Sequence, residues 1–365
     1  MVADFDASGF DASDLLAKLQ VLLSGLLPHQ SSSGHPVGFI YGSGFEAQPA
    51  LLEKIARLLP LVGNCPAVVL AVKSAGSFFS GLKSMGIRHP EVVLTLPLQG
   101  ESCRYLYKME GGCGGVHVMP ASDKVHVKAG NGYYQQWIDG LPVSLLFLAD
   151  GSDIRVVGFN EQLISPSPDT PFRYGGVVRG ALISQDIQRQ FIHAARQITA
   201  KFGLRGLNSL DAVVAKSSAR GQVKAEQAEL YVLEVNPRLS ASLDLYGEIN
   251  SWLIEQHILL GKKSAAFNSC DTIPLNLCSS LYHAQAIVYA DIAFSYDGRL
   301  AWPSWVKDNP LAQSEVYVQK AEPICSVNAS GVSLQEVRHL LQHRVQWIKN
   351  LLQNNSDNAS IFGKG

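Results

Sequence analysis

The sequence predicts a mixed α/β (α+β) protein in which a parallel, helix-flanked sheet precedes hairpin-rich lobes. Three observations lead there. Up to residue 100, strand-length apolar runs alternate with helical stretches in the order β-α-β-α-β, and parallel strands need such crossovers. From about residue 101 the pattern changes to strand–turn–strand, the signature of hairpins. With 365 residues, 47% of them hydrophobic and 17% charged, the chain exceeds one ordinary domain and can fill a large core.

The first hundred residues open on an amphipathic helix over 12–27, with leucines at 15, 16, 19, 22, 23, 26 and 27. A Ser/Gly loop at 31–35 leads to a buried strand over 37–41 and a tight turn at Gly42-Ser-Gly44. Pro49 starts a helix over 49–59. A strand over 67–72, a helix over 78–85 and a strand over 91–95 complete the alternation. Gly42-Ser-Gly44 after a strand invites a dinucleotide reading, but the third glycine is missing; a tight βα turn explains it equally well.

Cys103-Arg-Tyr-Leu-Tyr-Lys108 reads as a strand ending in a lysine, followed by four glycines within Gly111–Gly115. Such a loop lets backbone N–H groups approach phosphate oxygens, with Lys108 adding charge. A flexible hairpin tip is the alternative, and the absence of Gly-Lys-Ser/Thr excludes a P-loop. Gln135-Gln-Trp-Ile138 can present backbone groups to an adenine edge or can be a half-buried strand. An apolar strand over 143–148 turns at Ala149-Asp-Gly151 and pairs with 155–159. The helix over 184–202 carries Ile187, Phe191, Ile192, Ala195 and Ile198 on one face, which reads as core packing.

The densest signal is Glu234-Val-Asn-Pro-Arg238. Pro237 ends a strand, and side-chain alternation puts Glu234 and Asn236 on one face. A carboxylate and an amide oxygen there suit Mg²⁺, although a solvated edge strand would look the same in isolation. Strand arms at 212–215 and 228–234 around the polar segment 216–227 would pair antiparallel and bring Asp211 beside Glu234 and Asn236. The expected final helix spans 333–353, with a frayed polar tail from 354.

A net charge of −1 and a pI near 6.8 argue against nonspecific nucleic-acid or membrane-surface binding. No apolar run is long enough to span a bilayer. The acidic N-terminus lacks the basic region of a signal peptide. Six cysteines without C-x-x-C spacing point to free thiols in a reducing cytoplasm rather than zinc or a redox pair.

Taken in order, the lysine strand, glycine loop, Gln-Gln-Trp-Ile segment, Asp211 and Glu234-Val-Asn-Pro-Arg238 resemble the ATP-grasp superfamily over essentially the whole chain. Tyr41-Gly-Ser-Gly-Phe-Glu46, Gln136-Trp-Ile-Asp-Gly-Leu-Pro-Val-Ser144, Phe147-Leu-Ala-Asp-Gly151, Gly206-Leu-Asn-Ser-Leu-Asp211 and Pro323-Ile-Cys-Ser-Val-Asn-Ala329 further resemble carboxylate–amine ligase-like proteins of methanofuran or tetrahydromethanopterin biosynthesis. The resemblance implies a Rossmann-like N-terminal domain (1–100), a small lobe with the glycine loop (101–160), a large lobe with the metal site (161–290) and a C-terminal extension (291–365).

It also implies ATP-dependent amide formation through an acylphosphate. Lys108 would contact the α/β phosphates, and Gly111, Gly112, Cys113, Gly114 and Gly115 would close over them. Gln135, Gln136, Trp137 and Ile138 would line the adenine. Asp211, Glu234 and Asn236 would hold Mg²⁺ or Mn²⁺, and Arg238 would face the transferring phosphoryl group. Arg173 and Ser240 are substrate-side candidates, Arg173 equally a surface ion pair. The partners implied are a small carboxylate and an amine, with a homodimer as the candidate assembly. Three positions depart from the family pattern: Pro142 where a ribose-binding Glu is common, Gln135 or Gln136 for the acid of the adenine strand, and Ser209 for an Arg before Asp211. The competing reading is a non-catalytic ATP-binding protein with an assembly or regulatory role. A nicotinamide-dependent dehydrogenase lacks its third glycine.

Overall fold

A computed structural model describes residues 5–6, 9–26, 38–95, 104–121, 132–216, 228–262, 265–267, 281–297, 300–308 and 315–362. The expected loop at 31–35, most of the polar segment 216–227, and Cys103, Cys270 and Cys278 lie outside them. Cys65, Cys113 and Cys325 are free thiols.

The N-terminal region is more helical than its sequence predicts. After a two-strand ribbon, β1 (Phe5–Asp6) and β2 (Gly9–Phe10), come α1 (Ala12–Leu26), α2 (Pro49–Leu58), α3 (Pro66–Lys73) and α4 (Ala75–Ser84). The 67–72 segment expected as a strand lies inside α3. Its Val-Val-Leu-Ala-Val run satisfies strand and buried-helix patterns alike, and Pro66 at the first helical turn decides for the helix. The expected parallel sheet shrinks, among the described residues, to one parallel bridge between Phe39 and Leu61. The 91–95 strand survives as β3 (Val92–Val93), but pairs antiparallel with a later strand.

A four-stranded antiparallel sheet follows, in the order β3-β6-β4-β5, from β4 (Tyr105–Met109), β5 (Val118–Pro120) and β6 (Gly132–Gln136). The larger sheet has eight strands in the order β11-β10-β7-β8-β9-β12-β16-β14. Its strands are β7 (Leu141–Asp150), β8 (Ile154–Ile164), β9 (Tyr174–Arg179), β10 (Arg205–Lys216), β11 (Ala228–Asn236), β12 (Tyr282–Tyr289), β14 (Val306–Lys307) and β16 (Pro323–Gly331), with β13 (Phe294–Asp297) and β15 (Glu315–Val318) as a separate ribbon. Every pairing in the large sheet is antiparallel. The β7–β8 hairpin forms where expected, and Asp150 Oδ1 accepts from the N–H groups of Ser152 and Asp153 to fix its turn.

α5 (Gln185–Phe202) is capped by Ser184, whose side chain accepts from Ile187 N, and ends at Gly203 in the left-handed region. Its buried face of Ile187, Phe191, Ala195 and Ile198 packs on Leu145, Phe147 and Leu210 of the sheet. That confirms the stripe as core. α6 (Asn250–Leu260) and the preceding 3-10 stretch Ala241–Ile249 cover another part of the sheet through Leu253, Ile249 and Tyr246. α7 runs from Leu334 to Phe362, further than expected, so the helix continues through the polar segment after 353. No helix among the described residues is long and apolar enough to cross a membrane.

Candidate active site

A cavity of about 340 Å³ opens between the glycine hairpin and the large sheet. Its floor follows from the β10–β11 register. Asp211 pairs with Glu234 and Ser209 with Asn236, so the predicted antiparallel hairpin brings the three oxygen donors onto adjacent strands. Asn236 Nδ2 donates to Asp211 Oδ2 at 3.0 Å, and Ser209 Oγ donates to Asp211 Oδ1 at 3.1 Å. Asn236 therefore keeps its oxygen turned away from Asp211, toward the cationic side chains of Lys73 and Arg238.

Lys73 is the principal residue sequence reading missed. It ends α3, and its Nζ donates to Glu234 Oε2 at 3.1 Å and to Asn236 Oδ1 at 2.8 Å, with the side chain 6% exposed. Read as the end of a strand, Lys73 had no site to reach; as the last turn of a helix begun by Pro66 it points at β11. Its ammonium stands beside the proposed metal donors, a cation among two carboxylates and an amide oxygen. Mg²⁺ or Mn²⁺ fits the same hard-oxygen set, since such ions take few protein carboxylates and complete their shell with phosphate and water. Among the described residues no trio of His, Cys, Asp and Glu converges anywhere.

The two carboxylates titrate in opposite directions. Burial raises the Asp211 pKa to about 6, and the Glu234 charge adds to it, while hydrogen bonds from Gln162 and Ser209 and the Lys73 charge hold it back. Burial also opposes ionisation of Glu234, but Lys73, Lys108 and His117 outweigh it and bring its pKa down to about 2. Glu234 is thus the fixed anion of the site. Burial lowers the Lys108 pKa against the pull of Glu234 and Asp211. His117, at the end of the glycine hairpin, is likewise pushed below the usual histidine value by burial.

The glycine loop is the β4–β5 hairpin tip, as its sequence predicts. Lys108, Cys113, Gly114 and Gly115 line the cavity, while Gly111 and Gly112 stand back from it. Gly114 O accepts from Tyr174 N at 2.8 Å, docking the tip on β9. A Cβ at Gly115 would lie 1.9 Å from Phe172 O, and one at Gly111 would lie 2.6 Å from Ala47 Cα. With φ of +71° and +72° as well, these two positions require glycine.

Arg238 and Ser240 line the cavity too. Arg238 Nε donates to Glu46 Oε1 at 2.6 Å, and Ser240 shares a 2.7 Å hydrogen bond with Ser242. Glu46 carried no assigned role, though its signal, a lone carboxylate within Gly-Phe-Glu-Ala, was present. Gln162 of β8 is the other omission; it lines the cavity and bonds Asp211.

Two sets of expected site residues lie away from the cavity lining. Arg173 is neither a surface ion pair nor a cavity group: it stacks 3.7 Å from the Tyr289 ring and donates to the carbonyls of Ser165 and Ala321. Gln135, Gln136, Trp137 and Ile138 stand outside the cavity wall. The N–H groups of Gln136 and Trp137 are taken by the carbonyls of Glu91 and Arg104. The aromatic bridge to the wall is Trp137 on Phe172, centroids 5.2 Å apart. Gln135 is 1% exposed, with Nε2 lacking a partner. Pro142, the departure at the ribose position, does line the cavity.

This assembly of glycine hairpin, lysine strand and carboxylate–amide hairpin coincides with a family match: residues 77–242 match the model of the ATP-grasp domain. Over that stretch the chain is similar to an ATP-grasp domain. Solved structures agree on the ATP-grasp fold. An L-amino acid ligase from Bacillus licheniformis superposes with a TM-score of 0.64 at 16% identity, over 91% of this chain and 83% of that one. N5-carboxyaminoimidazole ribonucleotide synthetase from Thermotoga maritima gives 0.59 at 13% identity, over 90% and 83%. A biotin carboxylase from Campylobacter jejuni gives 0.58 at 12% identity, over 80% and 70%. No curated protein matches the chain in sequence.

Proposed function

We propose that the protein is an ATP-dependent carboxylate–amine ligase that forms an amide through an acylphosphate and acts on small molecules. The observation that carries this is the convergence of Lys108, Asp211, Glu234, Asn236 and Arg238 on one cavity under a glycine hairpin, with Lys73 hydrogen-bonded to two of them. Phosphoryl transfer asks little covalent chemistry of a protein; it needs reactants held in line and charge neutralised.

A substrate carboxylate oxygen attacks the γ-phosphorus, the bond to the bridging oxygen breaks, and ADP leaves. The amine nitrogen then attacks the acyl carbon, the C–O bond breaks, and phosphate departs, with the amine's proton passing to phosphate or solvent. Lys108 and Lys73 bind phosphate oxygens, and the hairpin N–H groups of residues 113–115 close over them. Asp211, Glu234 and Asn236 would hold Mg²⁺ or Mn²⁺, which supplies charge neutralisation on the phosphates when bound. The Arg238 fork faces the transferring oxyanion, and Ser240 with Ser242 offers hydroxyls to the acyl substrate. The sequence resemblance to one-carbon cofactor ligases makes glutamate and amine-bearing cofactor precursors the first substrates to try.

The test is ADP release from Mg–ATP against a panel of carboxylates and amines. Release that requires one of each supports the ligase. Nucleotide binding without release across the panel favours an ATP-binding protein with an assembly role. Absence of nucleotide binding rejects both.

A further inference from the structure

The ion pair between Glu46 and Arg238 joins residues 192 apart in sequence. The Glu46 side chain is 0% exposed and that of Arg238 9%. Glu46 belongs to the short turn Phe45–Ala47; its second oxygen accepts from Gly44 N at 3.0 Å. Arg238 is held on every nitrogen. Nε donates to Glu46, Nη1 donates to Leu239 O at 2.9 Å, and Nη2 reaches Asn236 Oδ1 at 3.5 Å. A guanidinium carries five N–H donors, so this anchoring leaves one on each Nη for an oxygen in the cavity.

A fully buried carboxylate is costly unless paired, and an apolar pair of similar volume would stabilise the fold as well or better. The pair is therefore better explained by what it does to the Arg238 fork. Glu46 also sits under the glycine hairpin, since a Cβ at Gly111 would lie 2.8 Å from Glu46 O. The same turn thus bears the hairpin through its backbone and Arg238 through its carboxylate.

We propose that Glu46 is a positioning residue for phosphoryl transfer, fixing the Arg238 fork so that its two remaining N–H groups meet the transferring oxyanion. The proposal rests on the ligase reading. It is tested by a cycle of four proteins: wild type, Glu46→Gln, Arg238→Gln and the double variant. Glu46→Gln should lower kcat about 30-fold while KM for ATP changes less than about threefold, the range expected when a catalytic group is slightly misplaced. In the Arg238→Gln background the same change should cost nothing further, because its effect runs through Arg238. The double variant should also melt above Arg238→Gln alone, which leaves Glu46 buried and unpaired.

Losses that multiply in the double variant, or full turnover by Glu46→Gln, overturn the proposal. Should wild type release no ADP with any substrate pair, the ligase reading fails, and the cycle is then read from melting alone. A double variant that melts above Arg238→Gln keeps Glu46 as the residue that holds Arg238, and one that melts with it or below removes it.

Discussion

The two ends of the proposed nucleotide site are built differently. At the proposed phosphate end, side chains from α3, β10 and β11, with Arg238 just past β11, meet within hydrogen-bond distance, and each bond names its partners: Lys73 to Glu234 and Asn236, Asn236 to Asp211, Arg238 to Glu46. At the end proposed for the adenine, the 135–138 segment stands outside the cavity lining, spends its N–H groups on Glu91 and Arg104 and reaches the cavity wall through the Trp137–Phe172 contact. Side-chain chemistry leaves residue types in a sequence; recognition through backbone and packing leaves almost none.

The largest expected effect lies at the phosphate end. Glu234→Gln keeps the shape and removes the fixed anion, and should cut turnover by at least about 10²-fold while the circular-dichroism spectrum stays that of wild type; full activity would reject the metal-site assignment. Lys73→Met should come next, with a loss of about tenfold in kcat/KM for ATP by steady-state kinetics, because a buried ammonium is withdrawn from the phosphates. Equal kinetics would make Lys73 a plug rather than a participant. Trp137→Ala should be smallest at this site, raising KM for ATP about threefold with kcat held, as loss of uniform binding does. A kcat collapse there would erase the contrast between the two ends.

The rear support of the phosphate end gives one prediction of another kind. Asn64 donates to Pro237 O and Asn208 Oδ1, and His257 Nδ1 accepts from Leu207 N at 2.9 Å. Burial pushes the His257 pKa down to about 4 from an ordinary 6.5. A histidine depressed in the folded state contributes stability that is complete above pH 6.5 and lost as pH falls toward 4, about 3 kcal/mol over that window. Melting of wild type and His257→Gln across pH 7.5 to 4.5 should therefore show the steeper acid loss in wild type. Parallel slopes would mean that His257 already titrates normally.

How much of this was legible follows from the same contrast. The Asp211–Glu234–Asn236 set could be read because strand alternation and an antiparallel hairpin are nearly geometric rules. The glycine hairpin and the α5 core stripe followed from turn and period signals. The N-terminal parallel sheet did not survive as expected, since 67–72 is too short and too apolar for its period to distinguish strand from helix. That single misreading hid Lys73. Glu46 stayed hidden because its partner lies in another part of the chain. Arg173 went astray because an arginine can bury itself on a tyrosine ring and two carbonyls with no anion nearby.

The glycine hairpin has a kinetic consequence. Gly114 bonded to Tyr174, Gly115 against Phe172 and Gly111 against Ala47 make a tip seated at three points over the phosphate end. On the proposed ligase reading, a nucleotide whose phosphates lie beneath that tip departs as these contacts open, and the next ATP enters by the same opening. ADP departure is then tied to the hairpin's opening rate rather than to the bond-making steps. Turnover should slow in proportion to solvent viscosity, and a pre-steady-state burst should precede it.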